Sequence, residues 1–210
     1  AYASQGTYAV SLVVKDAAGC TDSIFKDNLI VISTPVADFS ASDTITCPSN
    51  AIAFSNNSTG PGLSYFWNFG DGITSNQMSP DHSYTSDGVY TVQLTITDMY
   101  GCTAAITKDQ YITIVSPVAE FSVSDSVSTC PPLIVQFTNT SSNQSTYNWD
   151  FGDGSFSSAI SPSHFYNVAG IYFAKLSITG PGGCTSVKTK RIEVRGPKGS
   201  FTYQNFTGCK

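Results

Sequence analysis

One offset organises this chain. Trp67 and Trp149 are related by an offset of 82, and so are Asp71 and Asp153, Pro80 and Pro162, His82 and His164, Tyr90 and Tyr172, and Cys102 and Cys184. Self-similarity at a fixed spacing means that one structural unit is built repeatedly, each copy burying the same face. Carried backward, the offset matches Tyr8 to Tyr90 and Cys20 to Cys102; carried forward, it shortens, with Phe201 and Cys209 echoing Phe121 and Cys130 at offsets of 80 and 79. The expected organisation is therefore the last part of one unit over residues 1–34, whole units over 35–116 and 117–197, and the opening of a further unit over 198–210, all cut from a longer parent protein.

Each unit reads as strands. In Tyr90-Thr91-Val92-Gln93-Leu94-Thr95-Ile96-Thr97 the apolar residues alternate with polar ones, the pattern of a strand with one face on a core. Shorter runs such as Ile52-Ala53-Phe54-Ser55 and Tyr65-Phe66-Trp67-Asn68-Phe69 are bounded by turn residues. Only 12% of residues are charged, and the ten basic side chains are outnumbered by fifteen acidic ones with no basic cluster, so nucleic acid is not an expected partner. No apolar run approaches the ~20 residues that cross a bilayer as a helix, so membrane insertion is not expected of this segment. About seven strands in roughly 80 residues predicts an all-β fold of tandem immunoglobulin-like β-sandwiches. The linkers Ser33-Thr34-Pro35 and Ser116-Pro117-Val118 are short and proline-stiffened, so the units are expected to form a semi-rigid rod.

The segments Tyr65-Phe66-Trp67-Asn68-Phe69-Gly70-Asp71-Gly72 and Tyr147-Asn148-Trp149-Asp150-Phe151-Gly152-Asp153-Gly154 resemble the W-D-F-G-D-G signature of polycystic kidney disease (PKD) domains. In both units the signature is followed by Ser-Pro-x-His-x-Tyr, at Ser79–Tyr84 and Ser161–Tyr166, and then by Gly-x-Tyr ending at Tyr90 and Tyr172. The cysteine positions and the Gly-Cys-Thr step are similar to PKD repeats of large surface proteins of Bacteroidota. Asn68 departs from the signature, which argues against an essential charge at that position. The resemblance implies PKD sandwiches, an extracellular, secreted or cell-surface location and no catalytic site.

The motif residues make physical sense as scaffold. Trp67 and Trp149 suit a core; Gly70, Gly72, Gly152 and Gly154 permit tight turns that Asp71 and Asp153 can hold through backbone amides. Tyr90 and Tyr172 suit a tyrosine corner, and His82 and His164, following proline, are expected to bond locally in a turn. The competing readings are weaker. Asp71, Asp150 and Asp153 are too few per loop for a calcium cage, and one histidine per unit is too few for zinc. No serine or cysteine is paired with a base outside the repeat scaffold, so no catalytic residue, metal or cofactor is expected. Tyr65, Tyr100, Tyr147 and Phe156 are candidate exposed aromatics for stacking on sugar or protein. Asp22-Ser23-Ile24, Asp43-Thr44-Ile45 and Asp125-Ser126-Val127 resemble an O-glycosylation tripeptide of Bacteroidota, with Ser23, Thr44 and Ser126 as acceptors.

Six cysteines occupy two repeat positions: Cys47, Cys130 and Cys209 after the first strand, and Cys20, Cys102 and Cys184 before the last. They indicate an oxidising compartment. In an immunoglobulin-like sandwich these two positions fall at opposite ends, so the preferred pairing crosses a junction, Cys47 with Cys184. Pairing within a unit, Cys47 with Cys102 and Cys130 with Cys184, and sequential pairing, Cys20 with Cys47 and Cys102 with Cys130, remain open. The expected role is that of a structural or adhesive repeat protein, a stiff spacer, stalk or filament component. Its partners would be adjacent repeats, a laterally associated copy, or a surface glycan or protein. The alternative is a set of accessory glycan- or protein-binding modules of a larger secreted enzyme.

Overall fold

The computed structural model describes Tyr2 and residues 4–196, so the unit opening assigned to 198–210, with Cys209, lies outside the described residues. The architecture is all-β, and the chain divides after Ile114 into two compact units. The first begins with a hairpin of β1 (Gly6–Lys15) and β2 (Thr21–Ile32), whose strands stand one full repeat before the last two strands of the following sandwich.

The first sandwich comprises β3 (Phe39–Ala41), β4 (Ile45–Thr46), β5 (Ala51–Asn56), β6 (Ser64–Asn68), β7 (Thr74–Ser75), β8 (Asp81–Ser83), β9 (Gly88–Thr97) and β10 (Thr103–Ile114). One sheet has the order β3-β5-β8 and the other β4-β10-β9-β6-β7. Antiparallel pairing dominates, but the entering chain changes sheets: β3 pairs with β5, and β4 then runs parallel to the end of β10, Thr46 opposite Ile114. The second sandwich repeats this order with β11 (Phe121–Val123), β12 (Val127–Ser128), β13 (Leu133–Asn139), β14 (Thr146–Asp150), β15 (Phe156–Ser157), β16 (Ser163–Tyr166), β17 (Gly170–Thr179) and β18 (Thr185–Val194). Its sheets are β11-β13-β16 and β12-β18-β17-β14-β15.

The alternation read from sequence is what closes each core. Along β9, Val92, Leu94 and Ile96 are buried while Thr91 and Gln93 face water. Across from them, Phe39, Ile52 and Phe54 come from the three-stranded sheet, and Trp67, wholly buried, bridges the two layers with its ring 5.2 Å from Phe39 and 5.8 Å from Phe54. Trp149 occupies the same place among Phe121, Phe137 and Leu176. Parity within β6 and β14 also places Tyr65 and Tyr147 inward, packed against these cores, so they are not the exposed aromatics that their composition suggested. The aromatic of β6 that faces water is Phe66.

The two sandwiches differ most in their last strand. Between Lys108 and Ile112 the β9–β10 register is broken by a bulge, with Gln110 at φ 49°, and Tyr111 sets its ring edge-on to Phe39 at 5.6 Å. Strand β18 runs opposite β17 without a break and is two residues shorter, which is why the repeat offset falls from 82 to 80 beyond it. An equivalent bulge, with Asn28 at φ 53°, interrupts the β1–β2 hairpin.

The strand order also corrects the reading of the cysteines within a unit. Cys47 follows β4, beside the last residue of β10, whereas Cys102 precedes the first. The twelve residues of β10 between them span about 36 Å, far beyond the ~4.4–6.8 Å Cα separation of a disulfide. Cys130 and Cys184 stand at opposite ends of β18 in the same way. Cys20, Cys102 and Cys130 are free thiols, so neither the within-unit pairs nor the sequential pairs are formed; Cys47 and Cys184 are disulfide-bonded.

Candidate functional site

The repeated motif gathers its polar groups at one place in each sandwich. After β6 the chain turns through Gly70 at φ 84° and Gly72 at φ 91°, and the Asp71 Oδ1 accepts the Ile73 amide at 3.0 Å, closing the turn. One step earlier the Asn68 Oδ1 accepts the Gly70 amide at 3.0 Å; Asp150 does the same for Gly152, so amide and carboxylate serve equally. In the second sandwich Asp150 additionally lies 3.5 Å from the Lys175 ammonium.

The other oxygen of the turn aspartate reaches a different element. His82, on edge strand β8, sets Nε2 2.8 Å from Asp71 Oδ2, and His164, on β16, sets Nε2 2.7 Å from Asp153 Oδ2. These histidines lie on strands rather than in the turn expected for them, and their partners are eleven residues back. Each imidazole is stacked on a phenylalanine of the signature, Phe69 at 4.0 Å and Phe151 at 4.1 Å, and meets the edge of Tyr84 or Tyr166. Those tyrosines, which end the Ser-Pro-x-His-x-Tyr motif but were given no role from the sequence, are buried and donate to the carbonyls of Phe69 and Phe151. Burial, followed by the nearby Asp71 or Asp153 carboxylate, pushes both phenols well above their ordinary range, so they remain donors. The indoles of Trp67 and Trp149 donate to the carbonyls of Gln77 and Ala159 at 2.9 Å. The hydroxyls of Tyr8, Tyr90 and Tyr172 donate to carbonyls four residues upstream, on Ser4, Ser86 and Val168.

A shallow open concavity lies beside each Asp–His pair, bordered by Asp71, Ile73, Ser86 and Tyr90 in one sandwich and by Asp153, Ser155, His164 and Tyr172 in the other. Its aspartate and tyrosine are spent on the fold: both aspartate oxygens have protein partners, as does the tyrosine hydroxyl. Among the described residues no three His, Cys, Asp or Glu side chains gather in a metal-binding group. The arrangement can cross-link a turn to an edge strand; it presents no activated nucleophile.

The electrostatics of that cross-link are readable. Burial raises the pKa of Asp153, but hydrogen bonds from His164 and from the Ser155 amide and hydroxyl outweigh it, and the carboxyl sits below the ordinary carboxylate range. A depressed native pKa stabilises the fold above the unfolded-state value, and that contribution is lost as pH falls through the native one. Asp153→Asn is therefore expected to cost about 1–2 kcal/mol near neutrality, a gap from wild type that narrows as pH falls through about 4. Thermal melts from pH 7 to 2 measure it, and a gap unchanged at pH 2 refutes the assignment.

Away from the motif, Lys108 lies 4.6 Å over the Phe39 ring and 3.6 Å from Asp38; Lys190 lies 5.2 Å over Phe121, and Lys188 is 2.6 Å from Glu120. Asp16 and Asp98, four residues before Cys20 and Cys102, each accept two loop amides and shape the hairpin ends; their spacing of 82 was the available signal. Gly180-Pro181-Gly182-Gly183 replaces that loop before Cys184. The hydroxyl-bearing residues Thr44 and Ser126 are exposed at equivalent bends before β4 and β12, and Ser23 is exposed on β2. Tyr100 and Phe156 are exposed, as are Phe66 and Phe173.

A family model described as PKD domain matches residues 32–114 and 115–195. A microbial collagenase of Vibrio alginolyticus is 49% identical over 61 residues, 27% of this chain and 8% of that protein. Collagenase ColA of Bacillus cereus is 54% identical over 39 residues, 19% of this chain and 4% of that protein. The chain thus spans less than a tenth of the length of either. Among solved structures, the PKD1 domain of Vibrio anguillarum Epp is 36% identical, covering 39% of this chain and 95% of that one with a TM-score of 0.34.

Proposed function

Since the chain belongs to the PKD-domain family, we propose that its sandwiches are non-catalytic accessory modules of a larger extracellular protein, which hold an enzyme domain on an insoluble macromolecular substrate. One observation carries this reading: the relatives named collagenase are matched over 61 and 39 residues, stretches no longer than one repeat that make up 8% and 4% of their lengths. Support comes from the motif itself, whose Asp, His, Tyr and Trp side chains are consumed in scaffold bonds. The disulfide-bonded state of Cys47 and Cys184 fits an oxidising, extracellular setting. The contact surface would be the outer face of the five-stranded sheet, where Phe156 on β15 and Phe173 on β17, one on either side of β14, are 66% and 59% exposed.

The test is co-sedimentation of the 210-residue chain with insoluble fibrillar collagen and, separately, with insoluble polysaccharide. Retention on one of them is expected, weakened at least about tenfold when Phe156 and Phe173 are both replaced by alanine, the loss of two aromatic anchors. A chain that stays in the supernatant with both materials sinks the accessory-binding reading. It would leave the second reading, a stiff spacer or stalk, which the tandem repetition and the prolines at Pro35 and Pro117 favour. Glycan attachment at Ser23, Thr44 and Ser126 is proposed for either role, and intact-mass measurement of the secreted protein checks it.

A further inference from the structure

We propose that Cys47 is bonded to Cys184, joining a cysteine at the exit end of one repeat to a cysteine at the entry end of the next, and that this rule propagates along the array. Each sandwich taken alone points to it. Thr46 stands opposite Ile114, so Cys47 marks the end from which the chain leaves the first sandwich. In the second, the incoming chain runs beside the start of β18: the Ala119 amide donates to Ser186 Oγ at 3.1 Å, and a Cβ placed on Gly180 would lie 3.1 Å from Pro117 Cβ. Cys184, between Gly180 and Ser186, therefore marks the end where the chain enters. Exit at Ile114 and entry at Ala119 are joined through residues 115–118, at most about 17 Å of extended chain. That tether keeps the two ends near one another, whereas a partner in its own sandwich is beyond the reach of either cysteine.

The oxidation states follow the same rule. Cys47 and Cys184 are disulfide-bonded, and Cys20, Cys102 and Cys130 are free. Cys102 would need the counterpart of Cys47 one repeat earlier, a position that precedes Ala1 in this numbering; Cys130 would need the counterpart of Cys184 one repeat further on, beyond Lys210. Of the six cysteines in this sequence the rule can join one pair, Cys47 with Cys184. In chemical terms, a thiolate of one cysteine attacks a disulfide oxidant, expelling one of its sulfurs as thiolate; the second cysteine then attacks the mixed disulfide. The two protein thiols lose two protons and two electrons, and the oxidant leaves as a dithiol. The product bridges the proline-containing linker with a covalent bond that bypasses it.

Peptide mapping of the oxidised 210-residue chain under non-reducing conditions is expected to recover Cys47 joined to Cys184. Cys47 recovered as a thiol, or joined to any other cysteine, overturns the proposal. The functional reading uses a chain with a site-specific protease sequence inserted at Ser116. After cleavage it should remain one species without reductant and separate into two with it; separation without reductant overturns the staple. Cys184→Ser in that background should separate at once, with unchanged tryptophan emission showing that both sandwiches remain folded. A Cys184→Ser chain that stays in one piece after cleavage would also overturn it. These outcomes do not depend on whether the chain binds collagen or polysaccharide.

Discussion

Trp149→Ala removes about 4 kcal/mol from the second sandwich and leaves the first within about 0.5 kcal/mol of wild type. Trp149 is wholly buried, with its ring 5.0 Å from Phe121 and 5.3 Å from Phe137, so truncation opens a cavity between two sheets that each rest on it. It also strands the Ala159 carbonyl, which accepts the indole N–H. Both effects raise the cost, because packed strands on either side cannot collapse into the space. A domain of this size has a stability of only about 5–15 kcal/mol, so the loss is a large fraction of it. Hydrogen exchange by mass spectrometry resolves the sandwiches: amides of β17 and β18 should exchange far faster in the variant, while those of β9 and β10 keep their wild-type protection. Trp67 emission on urea titration gives an independent view of the first sandwich. Equal destabilisation of both would mean that their cores are one cooperative unit, and a loss below about 1 kcal/mol would mean that the indole does not bridge the layers.

What could be read in the sequence was whatever depends on parity and period. The offset of 82, the alternation of β9 and the Gly-Asp-Gly turn are local patterns, and the all-β tandem fold follows from them. Parity also held the answer for Tyr65 and Tyr147: each lies two residues before a core tryptophan and so shares its inward face, which a judgement from residue type alone missed. The shortening of β18 was visible as the drift in offset, though not the bulge at Gln110 that it replaces. The Asp–His cross-link was not legible. It depends on β8 pairing with β5, with Ile52 opposite His82, and on the turn after β6 lying over that edge; neither relation leaves a mark in local spacing. The role of Tyr84 and Tyr166, though both end a repeated motif, escaped for the same reason, since their carbonyl partners are fifteen residues away.

Gly70→Ala destabilises the first sandwich by about 3 kcal/mol or more, whereas Gly72→Ala, two residues on, costs about 1–2 kcal/mol. Both glycines have positive φ, 84° and 91°, so an alanine at either carries the backbone penalty of the left-handed region. They differ in what a side chain would meet. A Cβ on Gly70 would stand 2.4 Å from the Thr91 carbonyl oxygen and 3.2 Å from its amide nitrogen, while one on Gly72 has nothing within 4 Å. Thr91 cannot yield cheaply, because it belongs to β9, whose next residues pair with β6 on one side and β10 on the other. The turn must then lift away, carrying Asp71 from His82 and opening the 2.8 Å contact. At roughly 4–8 °C per kcal/mol for a domain of this length, the two variants should melt visibly apart. The difference between them isolates the collision from the strain, since the φ term is common to both. Equal melting temperatures would show that the close approach of turn and strand is not what glycine serves at position 70. Its presence there would then rest on backbone conformation alone.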